Sequence, residues 1–361
     1  MSGTSLDGID AIIVDLSSHP HILATHYQPY NDLLRQKLRR LCQGCDNELA
    51  LFSELDTQLG VIFAEAANCV LEKAKIDRAQ VRAIGNHGQT IRHYPDKHFP
   101  NSLQIGNPNI IAEYTQITTI ADFRRRDIAA KGQGAPLVPA FHKAVFSHPA
   151  HYRAIINIGG IANATFLPPT HCTDELVSGF DIGPGNTLMD TWIYRHKRER
   201  QDHDGHWANK GQSNQALLQA ILADPYFSAP PPKSTGSEYF NMIWLEGILA
   251  KHPDIPVNVQ ATLCEVTATS IANAINSFET TPTELFICGG GNHNSQLMQQ
   301  LRDKLPGASV ATTEVLGIDP DWVEAAAFAW LAQQTLENQA GNLPAVTGAN
   351  KSVKLGSIYP A

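Results

Sequence analysis

Asp181 stands two residues before the turn Gly183-Pro184-Gly185, within the stretch FDIGPGNTLMD that runs from Phe180 to Asp190. Proline fixes its own φ and glycine widens the choice of backbone conformations, so this turn can aim a carboxylate without later movement. A fixed carboxylate suits acid–base chemistry. An acid that only stabilises the turn has the same residue pattern, so both roles stay open. Asn186 is placed to cap a following helix near incoming phosphate.

Three glycine-rich turns each adjoin an apolar strand, and they span residues 2–8, 157–163 and 288–292. Glycine lets the backbone approach a ligand and direct several N–H groups at it, as a phosphate chain or a nucleotide requires. A tight hairpin turn is the alternative for any one of them. The sequence has neither G-x-x-x-x-G-K-[ST] nor a G-x-G-x-x-G that follows a strand and opens a helix. We therefore expect two turns from different domains to grip a triphosphate as the domains close.

Composition sets limits on the function. The chain has 361 residues, 43% hydrophobic and 17% charged, which is typical of a folded protein with room for two domains. Its net charge is −8, and its longest run of consecutive Lys and Arg residues is the short cluster Arg124 to Arg126, so nucleic acid is not expected as a partner. No apolar run is long enough to cross a membrane and no signal sequence opens the chain, so we expect a cytoplasmic protein.

Two groups of residues resemble partial metal sites. Cys42 and Cys45 form a lone C-x-x-C without the second pair of a closed zinc site, which favours reduced structural thiols. His203, Asp204 and His206 lie close in sequence but lack an evident further ligand, so a loop is favoured there.

The apolar patterns alternate between strand and helix, which predicts an α/β fold. The predicted strands are 9–16, 81–84, 117–120, 154–158 and 284–288, with a helix over 49–75. Asp319 is predicted to cap a helix that starts at Pro320 and continues through VEAAAFAWLAQQTL. Residues 229–233, APPPK, are predicted to form a loop.

The motifs together resemble the anhydro-N-acetylmuramic acid kinases of the sugar kinase, Hsp70 and actin superfamily. The resemblance runs through nearly the whole chain, in MSGTSLDGIDA (1–11), GNHGQT (85–90), ADFRRRDIAAKGQGAPLVPAFH (121–142), NIGGIAN (157–163), FDIGPGNTLMD (180–190), DGHWANKG (204–211), KSTG (233–236), CGGGNHN (288–294) and EAAAFAWLA (324–332). It implies a two-domain actin-like α/β ATPase fold with ATP in a central interdomain cleft. We place the N-terminal domain at 1–128 plus 340–361 and the C-terminal domain at 129–339.

The resemblance also implies an activity. The family's substrate has a 1,6-anhydro bridge, so water must open the bridge while O6 takes the γ-phosphoryl group of ATP. Asp181 looks like the general base for that water. Mg²⁺ is expected on the phosphates, held by Asp7 through water, although Asp7 can equally stabilise its own turn.

Further site residues follow from the same resemblance. The residues that look like ATP-binding positions are Gly3, Thr4, Ser5, Asp7, Gly8, Asn157, Gly159, Gly160, Asn163, Gly183, Gly185, Gly289, Gly290, Gly291 and Asn292. Arg124 is the candidate for the lactyl carboxylate of the sugar, because a guanidinium can bind a carboxylate through two hydrogen bonds. The other sugar-site candidates are His87, Asp122, Asp127 and Glu324. A structural role is the alternative for His87 and for Glu324, which lies in the first turn of a helix.

Alternatives to this function stay open at this point. A sugar kinase that acts on a free 6-hydroxyl would use Asp181 to deprotonate that hydroxyl, and a sugar or nucleotide sensor would need no base. The family suggests a homodimer. Its members carry a short strand before MSGTS, whereas this chain starts with the turn itself at Met1, so weaker nucleotide binding is expected if that strand is missing.

Overall fold

The computed structural model describes residues 1–3, 5–95, 97–172, 176–231, 233–278 and 280–361. It divides into two compact units. Unit 1 comprises Met1–Val145 and Trp322–Ala361, and unit 2 comprises Phe146–Asp321. Both units contain strands and helices, so the predicted α/β class is confirmed.

The strands of the described chain are β1 (Gly8–Asp15), β2 (His21–Pro29), β3 (Ile84–Gly85), β4 (Gln89–Tyr94), β5 (Asn101–Ile105), β6 (Thr119–Ala121), β7 (Arg153–Ile158), β8 (Ile161–Leu167), β9 (Ser178–Pro184), β10 (Glu284–Cys288), β11 (Ser309–Thr312) and β12 (Ser357–Tyr359). The α-helices are α1 (Asp32–Gln43), α2 (Glu48–Ala74), α3 (Pro108–Thr115), α4 (Arg125–Ala129), α5 (Val138–Phe146), α6 (Thr187–Lys197), α7 (Gln215–Leu222), α8 (Pro225–Ser228), α9 (Met242–Leu249), α10 (Pro256–Asn276), α11 (Ser295–Lys304), α12 (Val323–Leu336) and α13 (Pro344–Thr347). No helix among the described residues is long and apolar enough to cross a membrane.

Unit 2 is built on a five-stranded sheet with the order β11-β10-β7-β8-β9. Strand β10 runs parallel to β7 and β11, while β8 pairs antiparallel with β7 and β9. The parallel strands β7 and β10 are short, mostly apolar and mostly buried. One face packs in a core with Ile156, Phe180 and Ile182, to which helix α10 contributes Leu263 and Ile271.

Unit 1 contains three smaller sheets: the hairpin β1-β2, the sheet β12-β6-β3 and the hairpin β4-β5. Met1 pairs with the outer edge of β1, since its amino group donates to Asp10 O at 2.7 Å and Asp10 N donates to Met1 O at 2.8 Å. A largely apolar cavity of about 570 Å³ lies in this unit, with β1, β3, α2 and α12 among the elements that line it.

The strand predictions agree with β1, β6, β7 and β10 within about two residues, and the long helix is α2. The predicted strand over 81–84 is wrong for most of its length, because a short 3₁₀ turn at Arg78–Gln80 precedes it and only Ile84 pairs. The cap at Asp319 is also wrong. Helix α12 begins at Val323, and Asp319 Oδ1 instead accepts from Asp321 N at 2.9 Å.

The unit boundaries differ from the predicted domains, which end at 128 and resume at 340. Helix α12 belongs to unit 1 because its side chains Phe328 and Leu331 share a core with Ile120 and Phe123. Helix α5 carries the chain to the other boundary at Phe146. The helix EAAAFAWLA therefore belongs with the first turn and with Arg124 in unit 1.

Candidate active site

A row of polar residues crosses the sheet of unit 2. Asn157 on β7 is the cross-strand partner of Asn163 on β8, and Asn163 is the partner of Asp181 on β9. Cross-strand partners point to the same face of a sheet, so these three side chains share one face. Residues adjacent in sequence, such as Ile156 and Phe180, point to the other face and lie in the core. The sheet thus presents amide and carboxylate groups on one side only.

Asp181 is held at three of its atoms by one segment, Tyr226–Thr235, which we call the clamp. Its N–H donates to Lys233 O at 3.1 Å, its backbone O accepts from the Tyr226 hydroxyl at 2.7 Å, and its Oδ2 accepts from Thr235 N at 3.1 Å. The clamp lies along β9, the edge strand of the sheet, which continues to Pro184. Asp181 therefore lies inside strand β9 and not at its end.

Burial raises the pKa of Asp181 to about 6, with the Thr235 N–H opposing the shift and the charge of Glu238 adding to it. Burial has this effect because it disfavours the ionised form of a carboxyl group. A carboxylate with a pKa near 6 is ionised at neutral pH and is a stronger base than an ordinary aspartate. It can accept a proton from a weak acid such as water.

The turn Gly159-Gly160 joins β7 to β8 and is bonded to the start of α6. Gly159 O accepts from Asn186 N at 2.8 Å, and Gly160 O accepts from Gly185 N at 2.9 Å and from Thr187 N at 3.1 Å. A Cβ at Gly185 would lie 2.4 Å from Gly159 O, so this approach requires glycine. Asn186 lies at the N-cap position of α6, as predicted, but its side chain makes no capping hydrogen bond there, and its Nδ2 donates to Ile158 O at 3.1 Å.

The third turn, at Gly289–Asn292, follows β10 and lies beside the end of β7. A Cβ at Gly289, which has a φ of +76°, would lie 2.2 Å from Asn157 Oδ1. Asn292 Nδ2 donates to Gly289 O at 2.8 Å and to Asp321 Oδ1 at 3.2 Å, while open space surrounds Gly290. Two of the three glycine turns are therefore neighbours at the carboxyl ends of parallel strands, where α/β proteins commonly bind ligands.

In unit 1, Ser2 holds the first glycine-rich turn, at residues 2–8, through hydrogen bonds of its side chain. Ser2 is 1% exposed. Ser2 Oγ lies 2.8 Å from Gly8 O and 2.7 Å from Gln89 Oε1, and it accepts from the Tyr30 hydroxyl at 3.0 Å. Asp7 is exposed, and its Oδ1 accepts from Ser5 Oγ at 2.7 Å. Thr4 lies outside the described residues, and Gly3 O accepts from Gln89 Nε2 at 3.1 Å.

Arg124 is bound to His87 through two nitrogens, with Nε at 3.2 Å and Nη2 at 2.8 Å from His87 Nε2. His87 Nδ1 lies 2.8 Å from Gly88 O, so the ring is a neutral Nδ1–H tautomer that donates to Gly88 and accepts from Arg124. Burial, followed by the Arg124 charge, holds the pKa of His87 well below its usual value, which keeps the ring an acceptor.

Two N–H groups of Arg124 remain for a ligand. Its Nη1 donates to Gly134 O at 2.9 Å, so described residues use three of the five guanidinium donors and leave one on each Nη. Burial lowers the pKa of Arg124 to about 10 while the charge of Glu324 raises it, so the side chain stays cationic at neutral pH. Such a fixed pair of donors matches the geometry of a carboxylate.

Glu324, in the first turn of α12, is the acid near this group. Burial raises its pKa, as does Asp10, while the charges of Arg124 and the Met1 amine oppose that rise. The structure thus brings His87, Arg124 and Glu324 together from three distant parts of the chain within unit 1.

Comparison with known proteins identifies the family. A sequence model described as anhydro-N-acetylmuramic acid kinase matches residues 1–361. The chain belongs to this family. It is 49% identical over 359 residues to the anhydro-N-acetylmuramic acid kinase of Coxiella burnetii, covering 99% of this chain and 96% of the relative. The relative from Shewanella denitrificans is 50% identical over 363 residues, with 100% of this chain and 97% of the relative covered.

Among solved structures, a ROK family glucokinase from Streptomyces griseus, in complex with glucose and AMPPNP, is similar at a TM-score of 0.39 and 13% identity, covering 91% of this chain and 96% of that chain. The family membership itself makes this protein an enzyme, a kinase that transfers phosphate to an alcohol group.

Two acids predicted for the sugar site in this kinase already have protein partners. Asp127 is 0% exposed, and it accepts from Gly134 N at 2.8 Å, Asn342 Nδ2 at 2.6 Å and Thr347 Oγ1 at 2.8 Å. It has no open side, so we correct its role from sugar contact to support for Gly134 and thereby Arg124. Asp122 is partly buried and its Oδ1 accepts from Arg125 Nε at 2.8 Å.

Several residues that hold this site were not predicted from the sequence. Ser2, Tyr30 and Gln89 fix the first turn, and Tyr226, Lys233 and Thr235 hold Asp181. Most of these residues lie in motifs that resemble the family: Ser2 in MSGTS, Gln89 in GNHGQT, and Lys233 and Thr235 in KSTG. Tyr226 lies outside those motifs and carried no such signal.

Asp204, which belongs to one of the two weak metal candidates, has a protein partner. Asp204 Oδ1 accepts from Ser295 N at 3.1 Å, and the described residues contain no group of three His, Cys, Asp or Glu side chains suited to a metal ion. Cys42 and Cys45 are free, and burial raises the pKa of Cys42.

Proposed function

We propose that this kinase opens the 1,6-anhydro bridge of 1,6-anhydro-N-acetylmuramic acid with water and transfers the γ-phosphoryl group of ATP to O6. The products are N-acetylmuramic acid 6-phosphate and ADP, as expected for recycling of cell-wall fragments. The observation that carries the proposal is Asp181, whose partly buried carboxylate accepts from Thr235 N, whose backbone N–H and O have two further hydrogen bonds, and whose pKa is raised to about 6.

In this mechanism Asp181 accepts a proton from the water that attacks the anomeric carbon C1. A C1–O bond to water forms while the C1–O6 bond breaks, and its electron pair goes to O6. O6 then attacks the γ-phosphorus, and the bond to the β-phosphate oxygen breaks to release ADP. Asp181 suits this task because its carboxylate is held in place before water arrives.

ATP is placed on the three glycine turns. The turn at Gly3–Gly8 and the turn at Asn157–Asn163 would contact the phosphates, and Gly289–Asn292 would contact the adenosine. Support comes from the exposed residues Ser5 and Asp7 of the first turn, the hydrogen-bonded Gly159-Gly160 turn and the open space where a Cβ would lie at Gly290. Gly183 lies beside the Phe227 ring, where a Cβ would come within 2.8 Å of a ring carbon.

A magnesium ion would bind the phosphates of ATP. Asp7 fits it, being an exposed carboxylate on the first turn with hard oxygen atoms, and would hold it through water. The ion would supply charge neutralisation for the transferred phosphoryl group.

Arg124 is placed on the lactyl carboxylate of the sugar, through its two remaining N–H groups. His87 would act through Arg124, since both of its ring nitrogens already have partners. Glu324 and Asp122 are assigned to sugar hydroxyls. A cytoplasmic homodimer belongs to the same proposal and rests on the family resemblance alone.

The decisive experiment is incubation with ATP, Mg²⁺ and the anhydro sugar in ¹⁸O-labelled water, followed by mass spectrometry of the sugar product. We expect one heavy oxygen, located at C1, in the phosphorylated sugar. A phosphorylated product without heavy oxygen at C1 would mean transfer to a free hydroxyl, and the proposal would be wrong.

The activity should fall as the pH falls through about 6, because the base must be ionised and burial raises the pKa of Asp181 to about 6. We expect kcat/KM for the sugar, at saturating Mg-ATP, to drop tenfold per pH unit below that value. Rate measurements from pH 4.5 to 8 test this, with thermal unfolding at each pH as the control for stability. A flat profile between pH 5 and 7 in intact enzyme would contradict the assignment.

A further inference from the structure

Lys233, in the clamp, has its ammonium group at the end of a short helix. Lys233 Nζ donates to Tyr226 O at 3.0 Å and to Phe227 O at 3.2 Å, and both carbonyls belong to α8. The carbonyls of the last helical turn lack a full set of partners within the helix, so a cation there is favourable. The side chain of Lys233 therefore ties its own backbone to the end of α8.

Two aromatic rings lie beside the same ammonium group. Lys233 Nζ is 4.8 Å from the centroid of the Tyr226 ring and 5.8 Å from that of the Phe180 ring. The faces of aromatic rings attract a cation at such distances. Within the part of the chain that the structure describes, Lys233 forms no ion pair with an acid, so carbonyls and rings hold its charge.

The ends of the clamp that Lys233 joins are the ones that hold the proposed base. Lys233 O accepts from Asp181 N at 3.1 Å and Thr235 N donates to Asp181 Oδ2 at 3.1 Å, both at one end. At the other end, the Tyr226 hydroxyl donates to Asp181 O at 2.7 Å. The place of the Asp181 carboxylate thus depends on a lysine whose ammonium group forms no ion pair with that carboxylate.

We propose that Lys233 is a positioning residue, which acts through the clamp to keep the Asp181 carboxylate directed at the attacking water. The inference rests on the proposed function, in which Asp181 is the base. A reacting group that is about 1 Å out of place can lose about 100-fold in rate. Lys233 prevents such a loss by keeping its own carbonyl and the Thr235 N–H in place on Asp181.

The test is Lys233→Met in two backgrounds, wild type and Asp181→Asn. Methionine keeps an unbranched apolar side chain but cannot donate to the carbonyls of α8. In wild type we expect kcat to fall about 10- to 100-fold, with the KM values for ATP and for the sugar within about threefold. In Asp181→Asn the same substitution should change kcat by less than about twofold, because the group that Lys233 positions no longer takes a proton.

Two further variants make the result specific. Lys73 is a matched control, since its Nζ also donates to a backbone carbonyl, Thr25 O at 2.8 Å, but in unit 1. Lys73→Met should leave kcat unchanged in both backgrounds. Thermal unfolding shows whether Lys233→Met folds. If it does not, Lys233→Gln, which keeps N–H donors without the charge, should show a smaller loss of kcat that again requires Asp181.

Equal losses of kcat in the two backgrounds would overturn the inference, because Lys233 would then act on the fold or on the substrate and not through Asp181. A kcat of Lys233→Met within about threefold of wild type would overturn it as well. Neither result changes the labelling of the product by heavy oxygen. If wild type makes the phosphosugar without heavy oxygen while the two losses stay unequal, the proposed role of water is wrong and Lys233 still positions the base.

Discussion

Asp181→Asn should lower kcat by about 10²- to 10⁴-fold, the usual contribution of a general base. Asparagine has the same size, and its carbonyl oxygen can still accept from Thr235 N, so the clamp contacts should persist. It cannot take a proton from water, however. The fold should be as stable as wild type or slightly more so at pH 7, since burial of the ionised carboxylate disfavours folding there.

The measurements are kcat, the affinity for ATP by calorimetry, and the midpoint of urea unfolding. Asp303→Asn is the matched control, because Asp303 is exposed on α11 and its side-chain hydrogen bond among the described residues is a local one from Gln299. That variant should keep wild-type turnover. If Asp181→Asn retained more than a tenth of the wild-type kcat, another group would have to be the base.

The elements that hold the glycine turns could be predicted because their signals are local. Strands β7 and β10 are short apolar runs that end in glycines, and the pairing of such neighbouring strands brings the two turns of unit 2 together. The roles given to Asp181 and Arg124 rest on motifs that belong to the family, and they stay predictions. In both cases a few adjacent residues carried the information.

The partners of these residues could not be predicted, because they come from distant parts of the chain. Asp181 and Thr235 are 54 positions apart, and Asp127 meets Thr347 across 220 positions. Asp127 resembles a ligand-binding acid in sequence, yet its surroundings supply three donors that use it as an internal support. Whether an acid serves a ligand or the fold depends on such tertiary contacts.

The errors at helix ends have a related cause. Asp319-Pro320 has the residue types of a helix start, but Gly289 N donates to Pro320 O at 3.0 Å, so the tertiary contact keeps Pro320 outside the helix. Asn186 has the type of a cap, but its amide instead supports Ile158 at the end of β7. In both places a group at the predicted start of a helix forms a hydrogen bond with a residue in or next to a glycine turn.

Arg124→Ala should raise the KM for the anhydromuramic sugar about 10- to 100-fold and lower kcat by a smaller factor. The loss of a charge-assisted pair of hydrogen bonds to the lactyl carboxylate costs about 1.5–3 kcal/mol, which corresponds to that range. Arg124→Lys should recover only part of the affinity, since an ammonium group keeps the charge but lacks the planar pair of donors. Steady-state kinetics and calorimetric titration with the sugar measure both effects.

A substrate without the lactyl group separates recognition of the carboxylate from damage to the fold. For 1,6-anhydro-N-acetylglucosamine, wild type and Arg124→Ala should have KM values within about threefold, because neither complex contains the ion pair. His87 loses its donor in this variant and its pKa should rise, since the Arg124 charge helps to hold it low. Equal losses for both sugars would show that Arg124 shapes the pocket, and the carboxylate would then need a different cation.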